Sequence, residues 1–357
     1  MLTLPKSPRI LNCISVRTDN LQTNETGVWP HLFAPIASPM AQVTTALADQ
    51  ARSFDPALAE YLKHILGATG KRLRPALALL AGGATGRITE EHIRLGVIVE
   101  LIHLGTLVHD DILDEASLRH GQPTTNARWG NKISVLLGDG LFAHALNLAA
   151  SYPAPTVCRK IGLATKVVCT GEILQTQRRY DPHLAIPSYL EIIGMKTGAL
   201  FAVSAELGAD LNAAPAPLVK ALQEFGSQFG IAYQIYDDCV DIFGQEGKAG
   251  KSLGTDMRTG KLTLPWLLLL EHTSADRRSE ISEMIFHGDT EERARLFALA
   301  AGNGVLSESL ATIEDYITRA GNHLADLPDN TYTKTLASLL DIIAGKTRKL
   351  LYPEVPV

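Results

Sequence analysis

The chain has no cysteine pair. Cys13, Cys158, Cys169 and Cys239 lie far apart and form no CxxC unit, which argues against a zinc site or a disulfide framework and suits a reducing, cytoplasmic setting. It has no excess of positive charge: 33 Lys+Arg stand against 38 Asp+Glu, a formal net charge of -5. Nucleic-acid binding therefore has no electrostatic footprint. No uninterrupted apolar run reaches the roughly 18 to 20 residues of a membrane span. The longest, residues 262–270, is broken by Pro265, so no transmembrane segment is expected. The N-terminus lacks the apolar core of a secretory signal, and no Gly-rich phosphate loop follows a strand pattern.

What is present is ordinary globular material, 357 residues with 46% hydrophobic and 20% charged side chains, enough for one large domain. Residues 1–39 are rich in Pro, Asn and Thr and show no helical period, so they are expected to be a disordered extension. Met40 opens the folded domain, 40–357, and is also a candidate start of the natural chain. From Gln42 onward helix signals dominate. Apolar residues recur at three and four spacings, as in the stripe Leu95, Val99, Ile102 and Thr106. Residues 75–81 and 135–150 are apolar nearly all round, the pattern of helices buried in a bundle. Breakers separate the segments, among them Gly82-Gly83, Gly121-Gln122-Pro123 and Pro215-Ala216-Pro217. The expected fold is all-α, a large single-domain helical bundle around a central cavity.

One pattern occurs twice. Asp110-Asp111-Ile112-Leu113-Asp114 and Asp237-Asp238-Cys239-Val240-Asp241 both read DDxxD, each after an apolar helical segment. On a helix the first and last Asp of such a unit share a face. Like charges there repel by a few tenths of a kcal/mol or more, and apolar surroundings raise that cost. A cation relieves it, and carboxylate oxygens suit magnesium, whose shell substrate phosphates usually complete. A lone DDxxD is better read as a solvated helix face. Two copies followed by basic residues point to metal binding. Those basic residues are Lys71 and Arg74 in Gly70-Lys71-Arg72-Leu73-Arg74-Pro75, Arg119, Lys196 beside Thr197, Lys251 and Lys261. Arg grips phosphate bidentately and Lys acts as a mobile point charge. Together they describe a cavity for two diphosphates, one bridged by magnesium and one held directly by cations.

Seven elements in order, from GKRLRP through Glu100-x-x-His103, DDxxD with its basic pair and Gly121-x-Pro123-Thr124, Gly138-Asp139, Gly171-Glu172 with Gln175, and Lys196-Thr197 to the Tyr233–Asp241 stretch with its Gly-Lys loop, carry a resemblance. The chain resembles the trans-polyprenyl diphosphate synthase family over about residues 66–265. The resemblance implies a prenyltransferase of the isoprenoid-synthase fold that joins isopentenyl diphosphate to an allylic diphosphate, farnesyl or geranylgeranyl. It implies a homodimer and three magnesium ions. Asp110, Asp114 and Asp237 would bind the metal, with Asp111, Asp238 and Asp241 adding charge or outer contacts. Arg119, Lys196, Thr197, Gln234, Lys251 and Lys261 would hold the allylic diphosphate. Lys71, Arg74, His103 and the basic position 120 would hold isopentenyl diphosphate, with Gly70 letting the backbone approach. Ionisation of the allylic C–O bond gives a carbocation, the isopentenyl double bond attacks it, and the departing diphosphate takes the proton.

One departure stands out. The second basic residue after the first DDxxD is His120, where the family usually has Arg. His is shorter and only partly charged near neutrality, so isopentenyl binding is expected to weaken and to improve as pH falls toward 6, unless Lys71 and Arg74 suffice. Product length is expected from the helix before Asp110. Gly105 and Thr106, roughly 6 to 7.5 Å below Asp110, are small. The tail should pass them, toward Ile102, Leu101, or Leu137, Leu141 and Phe142 of the next helix. A medium- to long-chain product is expected, geranylgeranyl diphosphate being the alternative. A terpene cyclase is disfavoured by GKRLRP and the second DDxxD. A non-catalytic subunit of a heteromeric synthase is disfavoured because both carboxylate clusters are intact.

Overall fold

A computed structural model describes residues 25–67, 70–119, 121–244 and 254–351. His120, Lys251 and the expected disorder of residues 1–24 lie outside the described residues.

The protein is a helical bundle, as its periodicity implies. The domain begins earlier than Met40, however. Helices α1 (Glu25–Leu32) and α2 (Ala37–Asp49) flank a short turn at Ala34–Ile36, and Trp29, Phe33 and Ile36 are buried. Residues 25–39 therefore belong to the bundle. Their apolar side chains are spread over two short helices interrupted by Pro30 and Pro35, so no single helical period announces them. Helix α3 (Ala59–Leu66) follows, then α4 (Leu73–Thr85), which is buried on nearly every side.

Helix α5 (Glu90–Leu113) is the central post. Thr89 caps it, and His92 closes the cap: its Nδ1 accepts from the Thr89 backbone N–H at 3.2 Å. The other ring nitrogen of His92 meets the Gly208 carbonyl at 3.0 Å. Leu95, Val99 and Ile102 are buried, as their stripe predicts. A hairpin of Leu118–Arg119 with Gln122–Pro123 and the short α6 (Thr125–Trp129) lead into α7 (Asn131–Ala150) and α8 (Pro155–Gln177). Then come α9 (Ile186–Ile193), a π-turn at Gly194–Gly198, α10 (Ala199–Asp210) and α11 (Ala216–Phe243). Helix α10 packs on α4, α5, α8 and α11, and α5 also lies against α7. A turn of helix, α12 (Thr255–Arg258), precedes the outer helices α13 (Leu264–His272), α14 (Ala275–His287), α15 (Thr290–Gly302), α16 (Val305–Asn322) and α17 (Thr331–Leu351).

Two expectations need correction. Helix α7 is not buried all round: Val135 is 43% and Leu136 67% exposed, as are Leu163 at 60% and Ile173 at 58% on neighbouring α8. In addition, Asn131–Ala150 and Ile186–Asp210 are each long and apolar enough to cross a membrane. Requiring an unbroken apolar run missed them, because scattered charges and small polar residues interrupt both. The second is largely packed inside the bundle.

Candidate active site

The first Asp-rich stretch closes α5. Asp110 lies in its last turn and Asp114 is its C-cap. Each carboxylate already has a cation. Asp111 is buried and accepts from Arg119 Nε and Nη2 at 2.9 and 2.7 Å. Asp114 pairs with Lys261 at 2.7 Å and with Arg179 at 2.9 Å. Asp110 faces Lys196 at 3.7 Å.

Lys196 owes its position to the π-turn, the kind of widened helical turn that re-aims side chains at functional sites. Helix α8 comes close because residue 171 is glycine; a Cβ there would lie 2.7 Å from the Lys196 backbone nitrogen. The Lys196 ammonium donates to Gln175 Oε1 at 3.0 Å and pairs with Glu172. Burial opposes its charge, but Asp110 and Glu172 outweigh burial and raise its pKa. Next door, Thr197 Oγ1 donates to Gln234 Oε1 at 2.8 Å, and Gln234 Nε2 donates to Asp238 Oδ1 at 2.8 Å. The π-turn thus joins Asp110 on α5 to Gln234 on α11.

In the second Asp-rich stretch, Asp238 and Asp241 are buried and held internally. Asp238 also accepts from the Tyr189 hydroxyl, and burial together with nearby Asp256 lifts its pKa to about 8. Asp241 accepts from Thr255 Oγ1 at 3.1 Å and from the Asp256 backbone N–H at 3.3 Å. The segment from Thr255 to Lys261 therefore starts on the second stretch and ends on the first. Asp237, on the same turn of α11, is half-buried.

Between these elements lies a cavity of about 160 Å³. Asp110, Glu172, Lys196, Thr197 and Gln234 line one part, and Arg74 and His103 another. Arg74 stacks over Phe201 at 4.4 Å, and burial lowers its pKa to about 10. Burial, with Arg74 and Arg119 nearby, holds His103 well below the usual imidazole value, so it is neutral. Lys71 stands outside this group, its ammonium over the rings of Trp29 and Tyr233. A Cβ at Gly70 would meet nothing within 4 Å. Thr106, Leu107 and Phe142 form the apolar part of the wall. Ile102 is buried, and Gly105 faces α7, where a Cβ would sit 3.4 Å from the Phe142 ring. Of the three chain-length positions expected from sequence, only Thr106 lines the cavity.

Sequence reasoning left Arg179, Glu172 and Tyr189 without roles. Glu172 had a signal, since it was part of a quoted motif. Arg179 and Tyr189 had none, because their partners are 65 and 49 residues away in sequence. The donor set fits a hard divalent cation that shares its shell with substrate. Burial is the chief cause that lifts Asp110 to about 6, with Glu172 and Asp114 adding to it against Lys196 and Lys261, and further positive charge would relieve it. Among the described residues, no three His, Cys, Asp or Glu side chains cluster tightly enough to hold an ion alone. Phosphate oxygens would complete the shell.

An all-α bundle with paired Asp-rich turns and a cation-lined cavity defines a class, and residues 55–301 match the family model described as Polyprenyl synthetase. The chain belongs to that family and is a prenyltransferase. It is 34% identical, over 86% of its length and 95% of the relative's, to the all-trans-nonaprenyl-diphosphate synthase (geranyl-diphosphate specific) of Rhodobacter capsulatus. It is also 34% identical to the heptaprenyl diphosphate synthase component 2 of Geobacillus stearothermophilus, over 84% of this chain and 93% of that one. The crystal structure of polyprenyl synthase from Caulobacter crescentus CB15 complexed with calcium and isoprenyl diphosphate superposes with a TM-score of 0.84 at 33% identity, covering 90% of this chain and 99% of that one.

Proposed function

We propose that the enzyme lengthens an allylic diphosphate, farnesyl or geranylgeranyl, with isopentenyl diphosphate to give a medium- to long-chain all-trans polyprenyl diphosphate. The observation that carries this reading is a cavity in which Lys196, Thr197, Gln234 and Asp110 meet Arg74 and His103 beside a wall of Thr106, Leu107 and Phe142.

Three magnesium ions, held by Asp110, Asp114 and Asp237, would supply charge stabilisation of the leaving diphosphate. The chain's own residues do the rest. Lys196, Thr197 and Gln234, with Lys261 and Lys251, grip the allylic diphosphate, and Lys196 is held charged by its carboxylate neighbours. Arg119, fixed by Asp111, joins them on the allylic diphosphate. His103 and Arg74 with Lys71 and His120 hold isopentenyl diphosphate, His103 as a neutral hydrogen-bonding group. Asp238 and Asp241 orient Gln234 and the Thr255–Lys261 segment. Of the cavity histidines, His109 has its Nε2 at the Val135 carbonyl, 3.1 Å away. That contact is compatible with the departing diphosphate as the proton acceptor, which the family resemblance implies. The small Thr106 lets the tail run toward Phe142, which favours a product longer than fifteen carbons.

The exposed apolar residues of α7 and α8 support a homodimer formed through that face, and Cys158, Cys169 and Cys239, free among the described residues, support a cytoplasmic setting. The name of the Geobacillus relative, component 2, favours testing a second reading, dependence on another chain. Assay of this chain alone with farnesyl diphosphate, isopentenyl diphosphate and magnesium separates the two: product supports self-sufficiency, whereas none until a partner is added supports the subunit reading.

A further inference from the structure

Arg179 follows the end of α8 and reaches the first Asp-rich turn. Its Nη1 donates to the Leu113 carbonyl at 3.0 Å, and its Nη2 reaches Asp114 Oδ1 at 2.9 Å. Lys261, from a different segment, approaches the same oxygen at 2.7 Å. Two cations on one carboxylate repel each other. The arrangement is not incidental to a loose loop. The Tyr180 backbone N–H donates to the Gly260 carbonyl at 2.8 Å, so the residue after Arg179 is tied to the residue before Lys261. Gly260 has φ +73°, and a Cβ there would lie 2.6 Å from the Tyr180 ring. That ring packs in turn against Phe286 of α14. Arg179 is mostly buried, and its Nε is enclosed with no hydrogen-bond partner. The Arg179 guanidinium and the Lys261 ammonium, side by side at Asp114, have the chemistry to receive an anionic oxygen.

We propose that Arg179 is a substrate-contacting cation that works beside Lys261 on the allylic diphosphate, with the Tyr180–Gly260 contact as the device that presents both charges together. The proposal rests on the functional reading above. It is tested on the full chain with Arg179→Met and Arg179→Lys, using inorganic diphosphate with magnesium as the calorimetric probe and steady-state kinetics for both substrates. The expected result for Arg179→Met is about a tenfold loss of diphosphate affinity and a similar rise in the KM for farnesyl diphosphate, with the isopentenyl diphosphate KM unchanged. Arg179→Lys should recover part of the loss. Unchanged diphosphate affinity with a lower melting temperature would overturn the proposal and make Arg179 only a clamp on the end of α5. Tighter diphosphate binding or a lower magnesium requirement would also overturn it, by making Arg179 a competitor of the metal. If the wild-type chain neither binds magnesium diphosphate nor forms product, the functional reading itself fails rather than this extension of it.

Discussion

Lys196 is the residue where the site's charges converge, touching Gln175 and Glu172 and facing Asp110. In the proposed function, replacing it with Ala removes a cation from the place where leaving-group charge develops. We predict a fall in kcat of at least about 10²-fold with an unchanged circular dichroism spectrum; a loss under about threefold would remove Lys196 from the mechanism. Thr106 and Phe142 share the cavity wall, so Thr106→Phe should shorten the product and Phe142→Ala lengthen it, read by chromatography of the dephosphorylated products. An unchanged product distribution in both would move the tail elsewhere. The facing of the carboxylates was legible from spacing along a helix, whereas Lys196-Thr197 and Gln234 were reached through the order of motifs that carries the family resemblance. The difference between Asp237 and its neighbours Asp238 and Asp241 came from the family resemblance alone; its physical basis, the contacts with Tyr189 and Thr255, is beyond any local pattern. Gly105 looked equivalent to Thr106 because spacing gives depth but not the side of the helix that meets α7.

At the level of elements, the N-terminus of α5 carries a titratable joint. Buried His92 accepts at Nδ1 and contacts Gly208 through Nε2, and burial lowers its pKa below the usual value near 6.5. The unfolded chain binds a proton there that the folded chain refuses, so this stability is present above that pH and lost as pH falls below it. The folding free energy from urea denaturation should therefore fall between pH 7 and 5 relative to that of His92→Asn, by at most about 1.4 kcal/mol per pH unit for this one proton, while Asp110 and Asp238, whose raised pKa values act in the opposite sense, are common to both proteins. An equal slope in the variant would clear His92. Buried His103 contributes in the same direction. Helix α1 offers a second test: Trp29 is buried and lies beneath the Lys71 ammonium. We predict that Trp29→Ala costs about 3 kcal/mol of stability and raises the KM for isopentenyl diphosphate. The long helices were readable from periodicity. Helix α1 was not, because its apolar residues are few and divided by prolines. The π-turn was not either, because it forms where Gly194, Gly198 and the close approach of α8 at Gly171 coincide.

For the whole molecule, the apolar side chains turned outward on α7 and α8 predict association of two copies. Leu136→Asp with Leu163→Asp should convert a dimer to a monomer in light scattering; a wild-type monomer at micromolar concentration would contradict the assembly. The single-bundle architecture was readable from helix signals that run on without a strand pattern, whereas which helix lies outermost is decided only by packing. The central claim, that one cavity ionises an allylic diphosphate and joins it repeatedly to isopentenyl units, is tested most directly by incubating the purified chain with labelled isopentenyl diphosphate, farnesyl diphosphate and magnesium and resolving the products by length. The account predicts a ladder ending well beyond twenty carbons; no product with metal present, at any pH from 6 to 8, would contradict it.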